Sequence, residues 1–207
     1  MICHPIKVLS LSSTLLCNCS SAHSVQISLY SKILSNHLFF CRAFDHVSRG
    51  KGKGCAIFSL LSRNISQSKQ TVSKEKYQIM AIIDRTNPYL SYQLVLLYVS
   101  SGCLFPELVW DLKKIIQRNM TVIVVGDFNF DHKETNEFTR YLEENSFKQV
   151  VNWPTHRDGR TIDQCYVSKG TRVQVTRHSP YYSDHDALVL EFENFPWHEG
   201  ANMTCAF

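Results

Sequence analysis

The chain has 207 residues, of which 44% are apolar and 19% charged, with a formal net charge of +4. That length suits one domain able to bury a sizeable core, and the mild positive balance leans towards phosphate-rich partners without establishing them. No stretch approaches the roughly 18 to 20 apolar residues of a membrane span, which excludes a transmembrane helix.

Eight cysteines are scattered along the chain with no C-x-x-C pair. Several lie in apolar runs where a reduced thiol packs as a small hydrophobe, so neither a disulfide scaffold nor a zinc site is expected. Residues 1–38 are rich in Ser, Leu and Cys, hold no acidic residue and show no periodicity. They read as an atypical, poorly ordered segment. Their opening imitates a signal peptide badly, because serines break the apolar run, and the sequence leans to an intracellular protein.

From Phe39 onward strands alternate with short helices. Arg49-Gly50-Lys51-Gly52-Lys53-Gly54 enters a strand at Cys55 to Leu60; lacking P-loop spacing, it reads as a solvated basic turn. Ser66 to Lys76 is a polar linker. Tyr77 to Ile83 and Gln93 to Val99 are antiparallel strands joined through Asp84-Arg85-Thr86-Asn87-Pro88. Pro106 opens an amphipathic helix reaching about Arg118, with Leu108, Leu112, Ile115 and Ile116 on one face. The β-branched run Thr121 to Val125 is short and apolar enough to be a central strand buried on both sides, ending at Gly126.

Phe138, Tyr141 and Leu142 mark a second helix to about Asn145, and Phe147 to Val151 resumes strand character. Thr161 to Val167 and Thr171 to Arg177 flank Ser168-Lys169-Gly170, which predicts a hairpin. Ala187 to Phe192 is the last strand, and Pro196 to Phe207 carries no pattern and is expected to fray.

Polar residues gather at the ends of these strands, where loops on a rigid sheet hold sites. Gly126-Asp127-Phe128-Asn129 presents a carboxylate and a carboxamide after the buried strand; taken alone it is an Asx turn. Pro154-Thr155-His156-Arg157-Asp158-Gly159-Arg160-Thr161-Ile162-Asp163 is a charged loop leading into an aspartate. Ser183-Asp184-His185 sets a carboxylate beside an imidazole, and Tyr98 ends its strand with a phenol that suits a core position equally well.

In order, Tyr, G-D-F-N, T-H-x-x-G-x-T-I-D and S-D-H are far more specific than any one of them. The set resembles the endonuclease/exonuclease/phosphatase superfamily, in particular the endonuclease domains of mobile genetic elements, over residues 39–196, with 197–207 as a tail. The resemblance implies a DNase-I-like four-layered α/β sandwich, incomplete at its N-terminus. It also implies phosphodiester hydrolysis by an activated water with Mg²⁺ or Mn²⁺.

Through it, Asp127 would orient or deprotonate the water and Asn129 would hydrogen-bond to the phosphate. His185 would contact the phosphate as a cation or acid, and Asp163 would orient His185 and favour its charged form. Asp184 would bind the metal and Tyr98 would donate to a phosphate oxygen.

The family also uses an early Asn and a metal-binding Glu. No Glu precedes Glu75, which is out of order for that role, and Asn18 is a faint stand-in for the Asn. Activity is therefore expected to be impaired. Nucleic acid, with DNA favoured, is the expected partner, and a nuclear destination would suit a mobile-element nuclease. Two alternatives stand beside nuclease: an inactive remnant that only binds nucleic acid, and a small-molecule or lipid phosphatase of the same fold.

Overall fold

The computed structural model describes residues 37–42, 56–60, 64–67, 72–87, 90–179, 184–192 and 203–205. β1 (His37–Arg42) and β2 (Ala56–Leu60) form an antiparallel pair of their own. A seven-stranded sheet follows, built from β3 (Ile65–Gln67), β4 (Val72–Ser73), β5 (Tyr77–Asn87), β6 (Leu90–Val99), β7 (Thr121–Asp127), β8 (Lys148–Gln149) and β9 (Asp163–Val167). Its order is β3-β5-β6-β7-β9-β8, with β4 also pairing β5. Only β6 and β7 run parallel; α1 (Phe105–Ile115) makes the crossover that a parallel neighbour requires. β10 (Val173–His178), β11 (Ala187–Phe192) and β12 (Met203–Cys205) form a smaller antiparallel sheet.

The period-two alternation of the central strands divides the core. Tyr77, Ile79 and Ala81 of β5, Val95, Leu97 and Val99 of β6, and Val122 and Val124 of β7 pack with Leu108 and Leu112 of α1. The same core takes in Phe138 and Leu142 of α2 (Glu137–Glu144). The intervening residues Met80, Ile82, Leu94, Leu96, Ile123 and Val125 meet Leu188 and Leu190 of β11. Helices, large sheet and small sheet are thus stacked as an α/β sandwich.

Local chemistry sets the helix ends. Pro106 lies in the first turn of α1, with Glu107 beside it and Lys113 and Lys114 in the last turn, matching the helix dipole. In α2 the Asn136 side chain accepts from Phe138 N and Thr139 N while Thr139 Oγ1 accepts from Asn136 N, all at 3.0 Å, a complete capping box.

Four expectations are corrected. β9 and β10 are not a hairpin, since β9 pairs with β7 and β8 while β10 pairs with β11. Their connection does use Gly170 at φ 85°, but it carries the chain from one sheet to the other. β5 and β6 run on to pair Asn87 with Leu90, so Asp84 to Asn87 is strand. The polar stretch 66–76 contributes short edge strands, and the C-terminal residues 203–205 pair with β11. Asn18, the Arg49 to Gly54 turn and Ser183 lie outside the described residues.

Candidate active site

β7 is buried along its length and sits between β6 and β9. A side chain at Gly126 would place its Cβ 1.9 Å from the Leu97 carbonyl oxygen, so glycine alone lets β6 close onto β7 there. Asp127 follows, in register with Tyr98 of β6 on one side and Asp163 of β9 on the other. Tyr98 is in turn paired with Gln78 of β5. Cross-strand partners share a face, so Gln78, Tyr98, Asp127 and Asp163 make one polar row across four strands at one end of the sheet.

The G-D-F-N segment anchors this row. Phe128 is buried among Phe130, Phe138 and Tyr166 on the helix face. Asn129 adopts φ 52°, a left-handed conformation that asparagine tolerates. Its backbone N–H donates to Asp127 Oδ1 at 3.0 Å. Its carboxamide donates to Val99 O at 2.8 Å and to Asp127 Oδ2 at 3.2 Å. The Asx turn expected of the motif is present, and it fixes the Asp127 carboxylate.

The loop 154–163 and the segment 184–186 are laced together. Thr155 Oγ1 accepts from Ile162 N and Asp163 N at 3.1 and 2.9 Å. Thr155 O accepts from Asp186 N at 2.7 Å, Asp184 O accepts from Arg157 N at 3.0 Å, and His156 bridges to His185. Gly159, at φ 87°, makes the return turn. This clamp brings His185 over β9, where its Nδ1 lies 2.9 and 3.0 Å from the two Asp163 oxygens. Asp184 is left with a side chain 52% exposed, its Oδ2 3.3 Å from His156 Nε2.

Electrostatics separate the roles these groups can take. Burial pushes the Asp127 carboxyl up and the Asp163 charge adds to the rise, so that it reaches about 7 against the pull of His185 and Asn129. Burial opposes a charged His185, but its bond to Asp163 and the charges of Asp163, Asp127 and Asp184 raise it to about 9. For Asp163 itself, complete burial pushes upward against the opposing pull of His185. Burial works against an ionised Asp184 too, but a backbone N–H and the two histidines hold its carboxyl below the usual range.

A cation beside these two buried carboxyls would favour their ionised forms against the upward push of burial, so the pair suits a cation. Asp127, Asp163 and His185 place ligand atoms within 4.8 Å of one another, as do His156, Asp184 and His185. Mg²⁺ is commonly held by one or two carboxylates with water and substrate oxygens completing the shell. The ionised, exposed carboxylate of Asp184 beside this pair fits that pattern.

The six residues singled out by sequence fall in this one region: Tyr98, Asp127 and Asp163 in the row, Asn129 behind Asp127, and Asp184 and His185 above. Glu75 stands exposed on the bend before β5. Two further residues of this region were not singled out by sequence. Gln78 is 1% exposed with neither amide atom hydrogen-bonded among the described residues, and its alternation with Met80 and Ile82 was the available signal. His156 was seen only as part of a basic loop, because its stacking on His185 is a tertiary fact.

The family model for the endonuclease/exonuclease/phosphatase family matches residues 17–185, starting earlier than the Phe39 from which the resemblance was drawn. No curated protein matches the chain in sequence. Among solved structures, the human nocturnin catalytic domain with bound sulfate anion aligns with a TM-score of 0.57 at 17% identity, covering 84% of this chain and 78% of that one. A Bacteroides thetaiotaomicron protein of the same family aligns at 0.55 and 13% identity, covering 81% and 79%. One from Leptotrichia buccalis C-1013-b aligns at 0.57 and 11%, covering 84% and 78%. At such identities the likeness establishes the fold, the DNase-I-like α/β sandwich.

Proposed function

The chain belongs to the endonuclease/exonuclease/phosphatase family, and we propose that it is a metal-dependent nuclease that hydrolyses phosphodiester bonds of nucleic acid, DNA in preference. The observation that carries this reading is the His185–Asp163 pair at 2.9 Å with Asp127 in register beside it. It joins a charged donor to a carboxyl able to accept a proton near neutrality.

Asp127, held by Asn129, takes a proton from the attacking water as the water oxygen bonds to phosphorus and the phosphorus–leaving-oxygen bond breaks. His185, its Nδ1 spent on Asp163, turns Nε2–H to a non-bridging phosphate oxygen, where a fixed donor acts on charge that grows in the transition state. The Tyr98 hydroxyl offers a second donor from the row. Asn129 acts first on Asp127; with Val99 O and Asp127 as acceptors, its carboxamide has to turn to reach phosphate. Asp184 would hold Mg²⁺ or Mn²⁺, which when bound supplies neutralisation of phosphate charge and stabilisation of the leaving oxygen.

A polymeric polyanion is favoured by the rim. A cavity of about 320 Å³ opens beside the site, walled by His156, Arg157, Arg177 and Asp184. Among the described residues the Arg157 guanidinium has no acceptor, and Arg177 has only Asp186 at 3.9 Å. The wording of the motifs, similar to mobile-element endonucleases, supports the same substrate over small phosphate esters.

A second reading, binding without cleavage, is favoured by one observation: of Asp127, Asp163 and Asp184, only Asp184 is exposed to take an ion from water. Nicking of supercoiled plasmid with Mg²⁺ or Mn²⁺, beside an Asp127→Ala, His185→Ala double variant and an inositol phosphate substrate, decides among the three readings. Nicking that vanishes in the variant and with chelator supports the nuclease. Retention of DNA without cleavage, weakening steeply with salt, supports the second reading, and release of phosphate from the inositol substrate alone supports the phosphatase.

A further inference from the structure

His156 has no part in the hydrolysis described above, yet it is placed like a ligand. At the rim His185 Nδ1 lies 2.9 Å from Asp163 Oδ2, and His156 Nδ1 lies 2.8 Å from Asp158 Oδ1 while also accepting from the Asp158 backbone N–H at 3.2 Å. His156 lines the opening, with its Nε2 towards Asp184. The rings meet edge to face with centroids 4.8 Å apart. His156 Nε2 stands 3.3 Å from Asp184 Oδ2, and His156, Asp184 and His185 offer donor atoms within 4.8 Å of one another.

We propose that His156, Asp184 and His185 form a cation site, overlapping at Asp184 the one assigned to Mg²⁺, that favours a borderline transition ion of the Zn²⁺ class. Imidazole nitrogen suits zinc and its neighbours, whereas Mg²⁺ prefers oxygen alone. Two ligands about 2.1 Å from a tetrahedral ion stand about 3.4 Å apart, close to the 3.3 Å between His156 Nε2 and Asp184 Oδ2. A carboxylate on the far nitrogen of a ligating histidine is the usual outer-shell arrangement, and here both histidines have one. Three protein ligands leave a fourth position, and the cavity that His156 and Asp184 line gives access to it. Cys165 is buried in the sheet core and Cys103 packs against the helix face, so neither belongs to this nitrogen and oxygen ligand set.

On binding, His185 releases its Nε2 proton to solvent and its lone pair goes to the ion. Occupancy therefore removes the donor meant for phosphate, and zinc is an inhibitor of the Mg²⁺-supported reaction. That consequence rests on the nuclease reading; the binding itself does not.

The test is calorimetric titration of the full chain with ZnCl₂ in excess Mg²⁺, repeated with Co²⁺ as a visible probe, for the parent, His156→Gln and Asp158→Asn. The parent should bind an ion that His156→Gln no longer holds at equal concentration, and Asp158→Asn should weaken it by about 10–100-fold, the usual effect of losing an outer-shell partner. Co²⁺ should give d–d bands of a nitrogen and oxygen site. Asp158 is on the surface, and melting curves of both variants in chelator verify that they fold. Zinc affinity unchanged in both folded variants, or Co²⁺ spectra showing thiolate charge transfer alone, overturns the proposal. Zinc binding lost in His156→Gln with no nicking by any form would keep this site and sink the nuclease reading instead.

Discussion

Asp127 and Asp111 are both buried aspartates, 5% and 7% exposed, and the molecule treats them oppositely. Asp111, on α1, is 2.8 Å from the Tyr77 hydroxyl, 2.9 Å from Lys74 Nζ and 3.0 Å from Lys114 Nζ. Burial works against its charge, but Lys74, Tyr77 and Lys114 hold its carboxyl down at about 2. Asp127 has a carboxylate for its cross-strand neighbour and is pushed up to about 7. Burial is nearly the same for both; the sign of the surrounding charge sets them apart. The sheet keeps them apart, with Asp111 on the helix face and Asp127 on the face towards β11.

The largest effect expected from breaking this contrast is on Asp127. Asp127→Asn should lower plasmid nicking by about 10²–10⁴-fold, the usual contribution of a positioned base, yet it should not weaken the metal-free fold. With the folded carboxyl raised from 3.8 to about 7, the folded parent binds this proton more tightly than the unfolded chain. Its contribution to stability is full below the unfolded value and is lost as pH rises through about 7. In chelator at pH 8, Asp127→Asn should therefore unfold at higher urea than the parent, with the gap closing towards pH 4. A variant less stable than the parent at pH 8 would make Asp127 a structural residue like Asp111.

Gly126→Ala attacks the support of the same carboxylate. Its Cβ would meet Leu97 O at 1.9 Å, so β6 and β7 must separate there and Asp127 is carried away from Tyr98, its neighbour on β6. We expect a loss of about 1–3 kcal/mol or more, as for an overpacked core, together with nicking. An unchanged urea midpoint would show that the strand can shift without harm.

Much of this arrangement was legible in sequence, and unevenly so. Thr121 to Val125 announced a strand buried on both faces because nothing in it could face water, and the ordered motifs placed the acidic and imidazole groups at strand ends. What local pattern could not carry was partnership. The Ser168-Lys169-Gly170 turn has hairpin chemistry, yet the next strand joins the other sheet, since a turn fixes direction locally while sheet membership is decided by which apolar face needs covering. Nothing local marks Asp111, because Lys74 and Tyr77 reach it from 37 and 34 residues away. His156 read only as part of a charged loop for the same reason.

Asp111→Asn is the converse experiment. The Tyr77 bond lies inside, whereas Lys74 and Lys114 are 43% and 51% exposed and screened, so we expect a loss of about 1–2 kcal/mol at pH 7. Nicking per folded molecule should not change. A carboxyl lowered from 3.8 to about 2 adds stability present above its unfolded value and lost as pH falls through about 2. Parent and variant should therefore converge in acid, the reverse of Asp127→Asn. Divergence in acid would mean that Asp111 is not ionised in the fold.

The smallest effect sharpens the comparison at its edge. Glu107 also faces Lys74, at 3.5 Å, but both side chains are about half exposed, 53% and 43%. Water screens such a pair, and holding two long side chains together costs rotamer entropy, so Glu107→Ala should change stability by about 0–0.5 kcal/mol and less in high salt. Lys74 keeps Asp111 as its nearer partner in that variant, at 2.9 Å. If Glu107→Ala instead costs as much as Asp111→Asn, the two carboxylates share Lys74 as one network, and the stabilising unit on the helix face extends to the surface. A double-variant cycle of Glu107→Ala with Asp111→Asn measures that coupling directly, and additivity within about 0.3–0.5 kcal/mol confines the unit to Asp111, Tyr77 and the lysines.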